Sequence, residues 1–327
     1  MTPGQDFGDG VGHDPTPPGT APAVVTCVMA CHDRRELTLR CLASLRDQIP
    51  VAGLELRMLV VDDGSTDGTA AAIAAEHPDV DLVRGDGTWM WGGSMRRGID
   101  VAIARGADAL WLVNDDVEFH PEALVRLVDA LDSNAARAAS TVVPANPGPT
   151  GSGRWPSVWV VGATADPATG RTSYSGWART HRWRPRVAML APGDRPVRCD
   201  FASFNCILVP ATDYRRLGGI DRRFPHGYGD HDLSRRATRA GYPLVLVPGH
   251  VGWCAPNPQP VWTDPTAALG TRIRDLHSPR NRPPRQAWRF ATRHYGAHAP
   301  LLFARPYARV VAGALTSGIR GRRSSGR

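Results

Sequence analysis

The chain has 327 residues, 42% hydrophobic and 21% charged, enough for one large domain or two smaller ones with a substantial core. No run approaches the roughly 18 consecutive apolar residues of a membrane-spanning helix, and the N-terminus lacks the charged and apolar regions of a secretory signal. All 39 basic residues are arginine; eleven lie beyond Leu276 with no acid among them, so the net charge of +8 leaves −3 for the rest, and the basic character belongs to a tail.

Residues 1–22 are rich in Gly, Pro and Asp without periodicity and read as a disordered leader. "AVVTCVMA" (23–30) is a β-rich apolar run that suits a strand covered on both faces. In "RELTLRCLASLRDQ", Leu37, Leu39, Cys41, Leu42 and Leu45 fall largely along one helical stripe. "LELRMLVVDD" predicts a second strand and "DGTAAAIAAEHP" a second helix, ended at Pro78. "VDLVRG" predicts a third strand, and "GGSMRRGIDVAIARG" a helix stopped by Gly106. "DALWLVND" is the fourth strand, and Pro121 opens the helix "PEALVRLVDAL".

Four strand–helix repeats argue for an α/β fold with a mostly parallel sheet and helices on both faces. Beyond residue 139 the pattern changes. "ASTVVPAN" and "SVWVVGA" read as strands, and residues 164–198 as a loop excursion or small hairpin. "CDFASFNCILVP" returns to a strand, "DYRRLGG" and "HDLSRRATRAG" are helices, and "YPLVLVPGHVGW" is the last strand. The six cysteines form no CxxC pair and several lie in apolar runs. They read as reduced, buried thiols of a cytoplasmic protein.

Ligands of parallel sheets bind at the carboxyl ends of the strands. Asp62 and Asp63, Gly85 to Gly87, and Asn114 to Asp116 all fall there and are expected to share one rim. So many acids on one rim are costly without a cation. Asp115 and Asp116 suit a hard divalent ion, which takes oxygen ligands and leaves sites for substrate phosphates; capping of the next helix, or plain exposure, is the competing account. In "VVDDGSTDGT" an acid after the strand is placed to accept from a base N–H or ribose hydroxyls. Ser65 and Asp67 fit a turn that caps the following helix.

The segments "CHDRRELTLRCLASL", "LVVDDGSTDGT", "VRGDGTWMWGGSMRRGI", "LVNDDV", "GGIDRRF" and "GYGDHDLSRRATRAGY" occur in an order and spacing that resemble family 2 glycosyltransferases. The resemblance covers about residues 24–255. It implies the GT-A fold, a nucleoside-diphosphate sugar donor, inversion at the transferred sugar, and Mn²⁺ or Mg²⁺. Carried over, Asp33 and Arg34 match the turn that helps hold the nucleotide, and Asp63, with Asp62 beside it, the acid that reads base or ribose. Asn114-Asp115-Asp116 matches the DxD metal motif with Asn in first place, so that Asp116 is the expected metal ligand and Asp115 lies near the ribose. Asp230, in "GYGDHDL", aligns with the catalytic base, with Gly229 where the family has Glu. Asp232 is expected to cap the helix there.

His250 is either a further metal ligand or a loop or core histidine. Gly85, Asp86, Trp91 and Arg96 belong to the stretch that leads onto the donor-side helix. Trp89 or Trp91 either stacks on the donor or sits in the core, and Arg96 or Arg97 reaches phosphate. The stretch is no dinucleotide fingerprint, since GxGxxG spacing is missing. Trp177 and Trp183 fall where relatives build the acceptor side.

The resemblance places the glycosyltransferase domain at 23–255, with a nucleotide-binding half at about 23–118 and an acceptor half at about 119–255. Residues 256–327 form an Arg-rich extension with a short interfacial helix expected from about Pro306 to Leu315. That extension either lies on an anionic membrane surface or is solvated; no motif supports nucleic-acid binding. A cytoplasmic enzyme, peripheral at the inner face of the cell membrane, follows, with a glycan or lipid-linked acceptor and rhamnosyl- or galactofuranosyl-type transfer. Two rivals stay open. A sugar nucleotidyltransferase would need a Gly-rich phosphate loop after the first strand, and "ACHDRRE" has no glycine. A non-catalytic glycan- or membrane-binding relative would not need Asp116 and Asp230.

Overall fold

The computed structural model describes residues 21–132, 155–181 and 184–324. The predicted strand at 139–146, Trp183 and nearly all of the predicted leader lie outside the described residues.

The first half alternates as the periodicity requires: β1 (Ala23–Cys31), α1 (Arg35–Arg46), β2 (Leu54–Asp62), α2 (Thr69–Glu76), β3 (Asp81–Arg84), α3 (Met90–Ala104), β4 (Ala109–Val113), a short β5 (Glu118–Phe119) and α4 (Ala123–Asp132). Beyond residues 133–154 come β6 (Trp159–Ala165), β7 (Thr172–Tyr174), β8 (Gly176–Arg179), β9 (Val187–Met189), β10 (Val197–Cys199), β11 (Phe201–Ala202), β12 (Cys206–Pro210), α5 (Ala211–Arg216), α6 (Gly229–Arg239) and β13 (Leu244–Trp253). The chain then runs through α7 (Leu269–Leu276), α8 (Pro284–Tyr295) and α9 (Ala299–Ser324).

The main sheet runs β10-β13-β6-β12-β4-β1-β2-β3. Strands β3, β2, β1 and β4 are mutually parallel, as are β13 and β6; β12 is antiparallel to both its neighbours. The mostly parallel α/β sheet is as the sequence predicts. The excursion at 164–198 is more ordered than a loop. It supplies β7 to the main sheet, and β8 and β9 to a second sheet of order β11-β8-β9.

Alternation along each strand builds two cores. From β1, Val25, Cys27 and Met29 join Trp111 of β4 and Leu42, Leu45 and Leu127 of α1 and α4 on one face. Val28, with Leu110 and Leu112, joins Met95, Ile99 and Leu233 of α3 and α6 on the other. A period of two thus sends neighbouring residues to opposite helical layers. Gly98 lets α3 settle onto the sheet, since a Cβ there would stand 2.7 Å from Val61 and 2.9 Å from Val28. All six cysteines are free and buried.

The interfacial helix expected from Pro306 is only the middle of α9, which begins at Ala299 and carries Pro306 inside it. Packing explains the extra turns: Phe303 of α9 meets Trp288 of α8 edge-on with centroids 5.4 Å apart, and tertiary contacts sustain helices that propensity alone would end. Among the described residues no helix is long and apolar enough to cross a membrane.

Candidate active site

Cys31 of β1 is in register with Asp62 of β2, and Val28 with Leu112 of β4. Their carboxyl ends therefore open onto one rim, and side chains bind the loops together there. Asp33 N donates to Ser65 Oγ at 2.9 Å, and Asp33 Oδ1 accepts from Thr66 N at 2.6 Å. That backbone bond, followed by weaker contributions from His32 and Thr66 against a little desolvation, holds the Asp33 carboxyl below its usual range. Asp67 Oδ2 accepts from Arg35 N at 3.0 Å and its Oδ1 from Thr69 N at 3.0 Å, at the head of α2.

Among the described residues, three non-glycine residues have positive φ, namely Asp33 (49°), Met90 (56°) and Tyr228 (69°). They lie after β1, at the start of α3 and just before α6, in the three loops that carry the candidate site. Such backbone costs of the order of 1–3 kcal/mol each and persists where the surroundings enforce it, often at functional sites.

The pair at the end of β2 divides its work. Asp63 is buried, and its carboxylate accepts from Gly87 N at 3.1 Å and Met90 N at 2.8 Å. It therefore shapes the Gly85–Met90 loop. Gly85 is required by this contact, since a Cβ there would lie 2.5 Å from Asp63 Oδ1. Asp62 is fully buried; Oδ1 accepts from Ser65 N at 2.9 Å and Oδ2 has no hydrogen-bond partner among the described residues. Asp86 is exposed and accepts from Thr88 N at 2.9 Å, a local turn before α3.

After β4, Asp115 is buried and Asp116 nearly so, and a single cation serves both. Arg34 Nη1 lies 3.3 Å from Asp115 Oδ1, and Nη2 2.6 Å from Asp116 Oδ2. Burial pushes the Asp115 carboxyl up to about 7; Arg34 opposes that, and the neighbouring Asp116 reinforces it. Thr38 Oγ1 adds a long contact to Asp115 at 3.5 Å. Two acids facing one guanidinium leave a surplus negative charge, and their oxygens suit Mn²⁺ or Mg²⁺. Among the described residues no cluster of three or more protein ligands stands ready, so an ion here would complete its shell with phosphate oxygens and water.

The side chain that reaches Asp116 from the far half of the sheet is Cys254, whose Sγ lies 3.5 Å from Asp116 Oδ1. Sequence reasoning missed it, because a cysteine just past a strand carries no motif. His250, four residues before Cys254, pairs its Nε2 with Thr172 Oγ1 at 2.9 Å.

Asp230 stands at the start of α6, its Oδ1 accepting from His231 N at 2.7 Å. The loop before it is fastened to the head of α3, where Gly92 N donates to Pro225 O at 2.7 Å. Trp91 bridges the two regions. Its Nε1 donates to Asn114 Oδ1 at 3.2 Å, and its ring lies 3.5 Å from where a Cβ on Gly229 would stand. Trp89 is instead covered by Arg97, 3.9 Å above its ring. Beside Asp230, His231 meets Phe201 edge-on at 4.9 Å, and Phe201 stacks on Trp177 at 5.9 Å.

Two expectations are corrected here. Asp232 does not cap α6; it is fully buried and accepts from Arg236 Nε at 2.9 Å, Arg293 Nη1 at 2.7 Å and His294 Nε2 at 2.9 Å. Burial would raise its pKa, yet the bonds from His294, Arg293 and Arg236 hold it below the usual range. Arg96 does not face the acids of the rim. It sits five residues after Trp91 on α3, roughly 140° round the helix axis, and lines a separate cavity.

The sheet with its helical layers is the GT-A glycosyltransferase fold. It superposes on the solved structure of GalNAc-T7 with UDP, GalNAc and Mn²⁺ at a TM-score of 0.51 and 15% identity, covering 86% of this chain and 54% of that one. Residues 26–201 match the model of glycosyl transferase family 2, and the chain belongs to that family. It is 29% identical over 215 residues to an N-acetylglucosaminyl-diphospho-decaprenol L-rhamnosyltransferase of Mycobacterium tuberculosis, covering 63% of this chain and 66% of that protein. It is 31% identical over 229 residues to an undecaprenyl-phosphate mannosyltransferase of Micrococcus luteus, covering 69% of this chain and 82% of that protein. The chain thus spans just under two thirds of the rhamnosyltransferase.

Proposed function

We propose that the protein is an inverting glycosyltransferase that moves a sugar, rhamnosyl in the favoured case, from a nucleoside-diphosphate sugar to a hydroxyl of a lipid-linked or glycan acceptor. The observation that supports this reading is Trp91, which donates to Asn114, two positions before Asp116, and packs beside Gly229, next to Asp230.

In this reading Arg34, Asp33, Asp86, Asn114 and Asp115 surround the nucleotide and its diphosphate, with Asp63 and Gly85 holding the loop in shape. Asp116 holds a divalent ion, which when bound stabilises charge on the departing diphosphate. Direct displacement inverts the anomeric carbon, and the attacking hydroxyl loses a proton as the new bond forms. The Asp230 carboxylate accepts that proton, a contribution of ~10²–10⁴-fold. Trp177, backed by buried Phe201, offers an aromatic face to the acceptor. The UDP and Mn²⁺ in the GalNAc-T7 structure and the polyprenol-linked substrates in the names of the two relatives support the choice of donor, ion and acceptor.

The catalytic domain would span 23–255 and the extension 256–327. Exposed Trp288, Leu301 and Val311 on α8 and α9, interspersed with arginines, suit peripheral attachment to an anionic membrane face.

The test is transfer from UDP-, dTDP-, GDP- and CDP-sugars to a polyprenyl-diphosphate acceptor with Mn²⁺. Asp230→Asn should cut turnover by about 10²–10⁴-fold and leave donor binding intact, whereas Asp116→Ala should remove the Mn²⁺ dependence. Full activity in Asp230→Asn would reject the assigned base.

A further inference from the structure

A cavity of about 780 Å³ opens between α3, α5 and the loop that follows α5. Its wall is unusually cationic, with six arginines and two acids, Asp100 and Asp221, among the lining residues. Most of these charges are committed. Asp221 is gripped by Arg223 at 2.6 Å and Arg293 at 2.8 Å, and Arg236 is turned to Asp232. Arg215 Nη2 donates to Ile103 O at 3.3 Å.

Arg96 and Arg222 remain. Nη1 of Arg96 is buried and has no acceptor among the described residues. Burial, then the charges of Arg222 and Arg97, push its pKa down. Arg222 is exposed and, among the described residues, has no acid within ion-pair distance. A buried guanidinium nitrogen without an acceptor is destabilising, and a second guanidinium nearby adds repulsion. Tetrahedral oxyanions remove both penalties, because each guanidinium presents a fork of donors matched to phosphate.

We propose that this cavity is a second anion site, distinct from the rim of Asp116, that takes a phosphate or diphosphate group through Arg96 and Arg222. None of the rim acids lines it. Its wall at Asp221–Arg223 runs directly into the Phe224–Tyr228 loop that carries Asp230, so an occupant would bear on the position of that loop. The proposal stands whether or not the chain transfers a sugar.

Binding of inorganic pyrophosphate to the full chain by calorimetry, in chelator without divalent metal, is the first arm of the test. Co-sedimentation with phosphatidylcholine vesicles containing a phosphomonoester lipid is the second. Arg222→Ala and Arg96→Gln are compared with the unaltered chain, with Arg34→Gln as the control for the rim. The expected result is a loss of about 10-fold or more in affinity in both cavity variants and little change in Arg34→Gln. A loss confined to pyrophosphate identifies a soluble ligand, and a loss confined to vesicles a lipid headgroup. Affinities unchanged in both arms, or binding lost in Arg34→Gln instead, overturn the proposal. Arg222 is exposed, so its variant keeps the test valid if Arg96→Gln folds poorly.

Discussion

Arg34 Nη2 lies 2.6 Å from Asp116 Oδ2: the expected metal ligand is already held by a guanidinium from the loop after β1. The same group reaches Asp115 at 3.3 Å. A divalent ion that binds Asp116 must share the carboxylate with Arg34 or displace it, and a diphosphate that arrives with the ion offers Arg34 a new partner. Metal and nucleotide would then bind with positive coupling.

Arg34→Gln should strengthen the binding of Mn²⁺ alone by about 5–10-fold, the worth of one charge-assisted contact, and weaken nucleotide binding in the presence of Mn²⁺. Calorimetry with each ligand separately checks both. An unchanged Mn²⁺ affinity would show that the ion does not compete with Arg34.

Trp91→Phe keeps an aromatic ring, though a smaller one, and removes the donor to Asn114. The lost hydrogen bond is worth about 1 kcal/mol, so the melting temperature should hardly move. Transfer should fall about 5–10-fold because the loop of Asp116 loses its tether to the loop of Asp230. Steady-state kinetics beside a melting curve read the two effects, and unaltered turnover would dismiss the bridge.

Asp232→Asn leaves Arg236 and Arg293 facing a buried neutral amide, although Arg293 keeps Asp221. Breaking a buried pair on one side costs about 3 kcal/mol or more. Because Arg293 and His294 belong to α8, the loss should also free the C-terminal helices. Denaturant unfolding gives the first quantity and limited proteolysis the second; protease resistance equal to that of the unaltered chain would show that α8 is held elsewhere.

Asp213 of α5 supplies a pH prediction. It is buried, with Oδ1 accepting from Ser157 Oγ at 3.1 Å and Oδ2 without a hydrogen-bond partner among the described residues, and burial, opposed by Ser157, Trp159 and Arg216, pushes it up to about 6. The folded chain therefore binds this proton more tightly than the unfolded chain. Its contribution favours the folded state below about pH 4 and is lost as the pH rises through 6. Asp213→Asn, which stays neutral, should be more stable than the unaltered chain by about 2 kcal/mol at pH 8, with the difference vanishing near pH 4. Melting curves at the two pH values decide it, and equal stabilities at pH 8 would contradict the account.

Much of the fold was legible in the sequence. Local periodicity fixes β1 to β4 and α1 to α4, because alternation and helical stripes are properties of neighbouring residues, whereas the two-residue β5 arises from its pairing with β13. The chain order of strands and helices then puts Asp33, Asp63 and Asp116 at carboxyl ends, and parallel pairing sets those ends side by side. Local signals also failed where distant packing overrides them, as at Pro306, which α9 passes through because Trp288 supports the turn before it.

Partner choice was not legible. Cys254 meets Asp116 across 138 positions, and Arg293 reaches Asp232 across 61; no spacing rule spans such distances. The sequence alone determined which groups lie on the rim, since backbone geometry carries a strand's last residue to the sheet edge. Only the tertiary structure decided which way each side chain turned: Asp63 to the backbone, Arg96 to its cavity, His250 to Thr172 and Asp232 to α8. Those directions depend on burial and on the nearest unsatisfied partner, which exist only once the layers have packed.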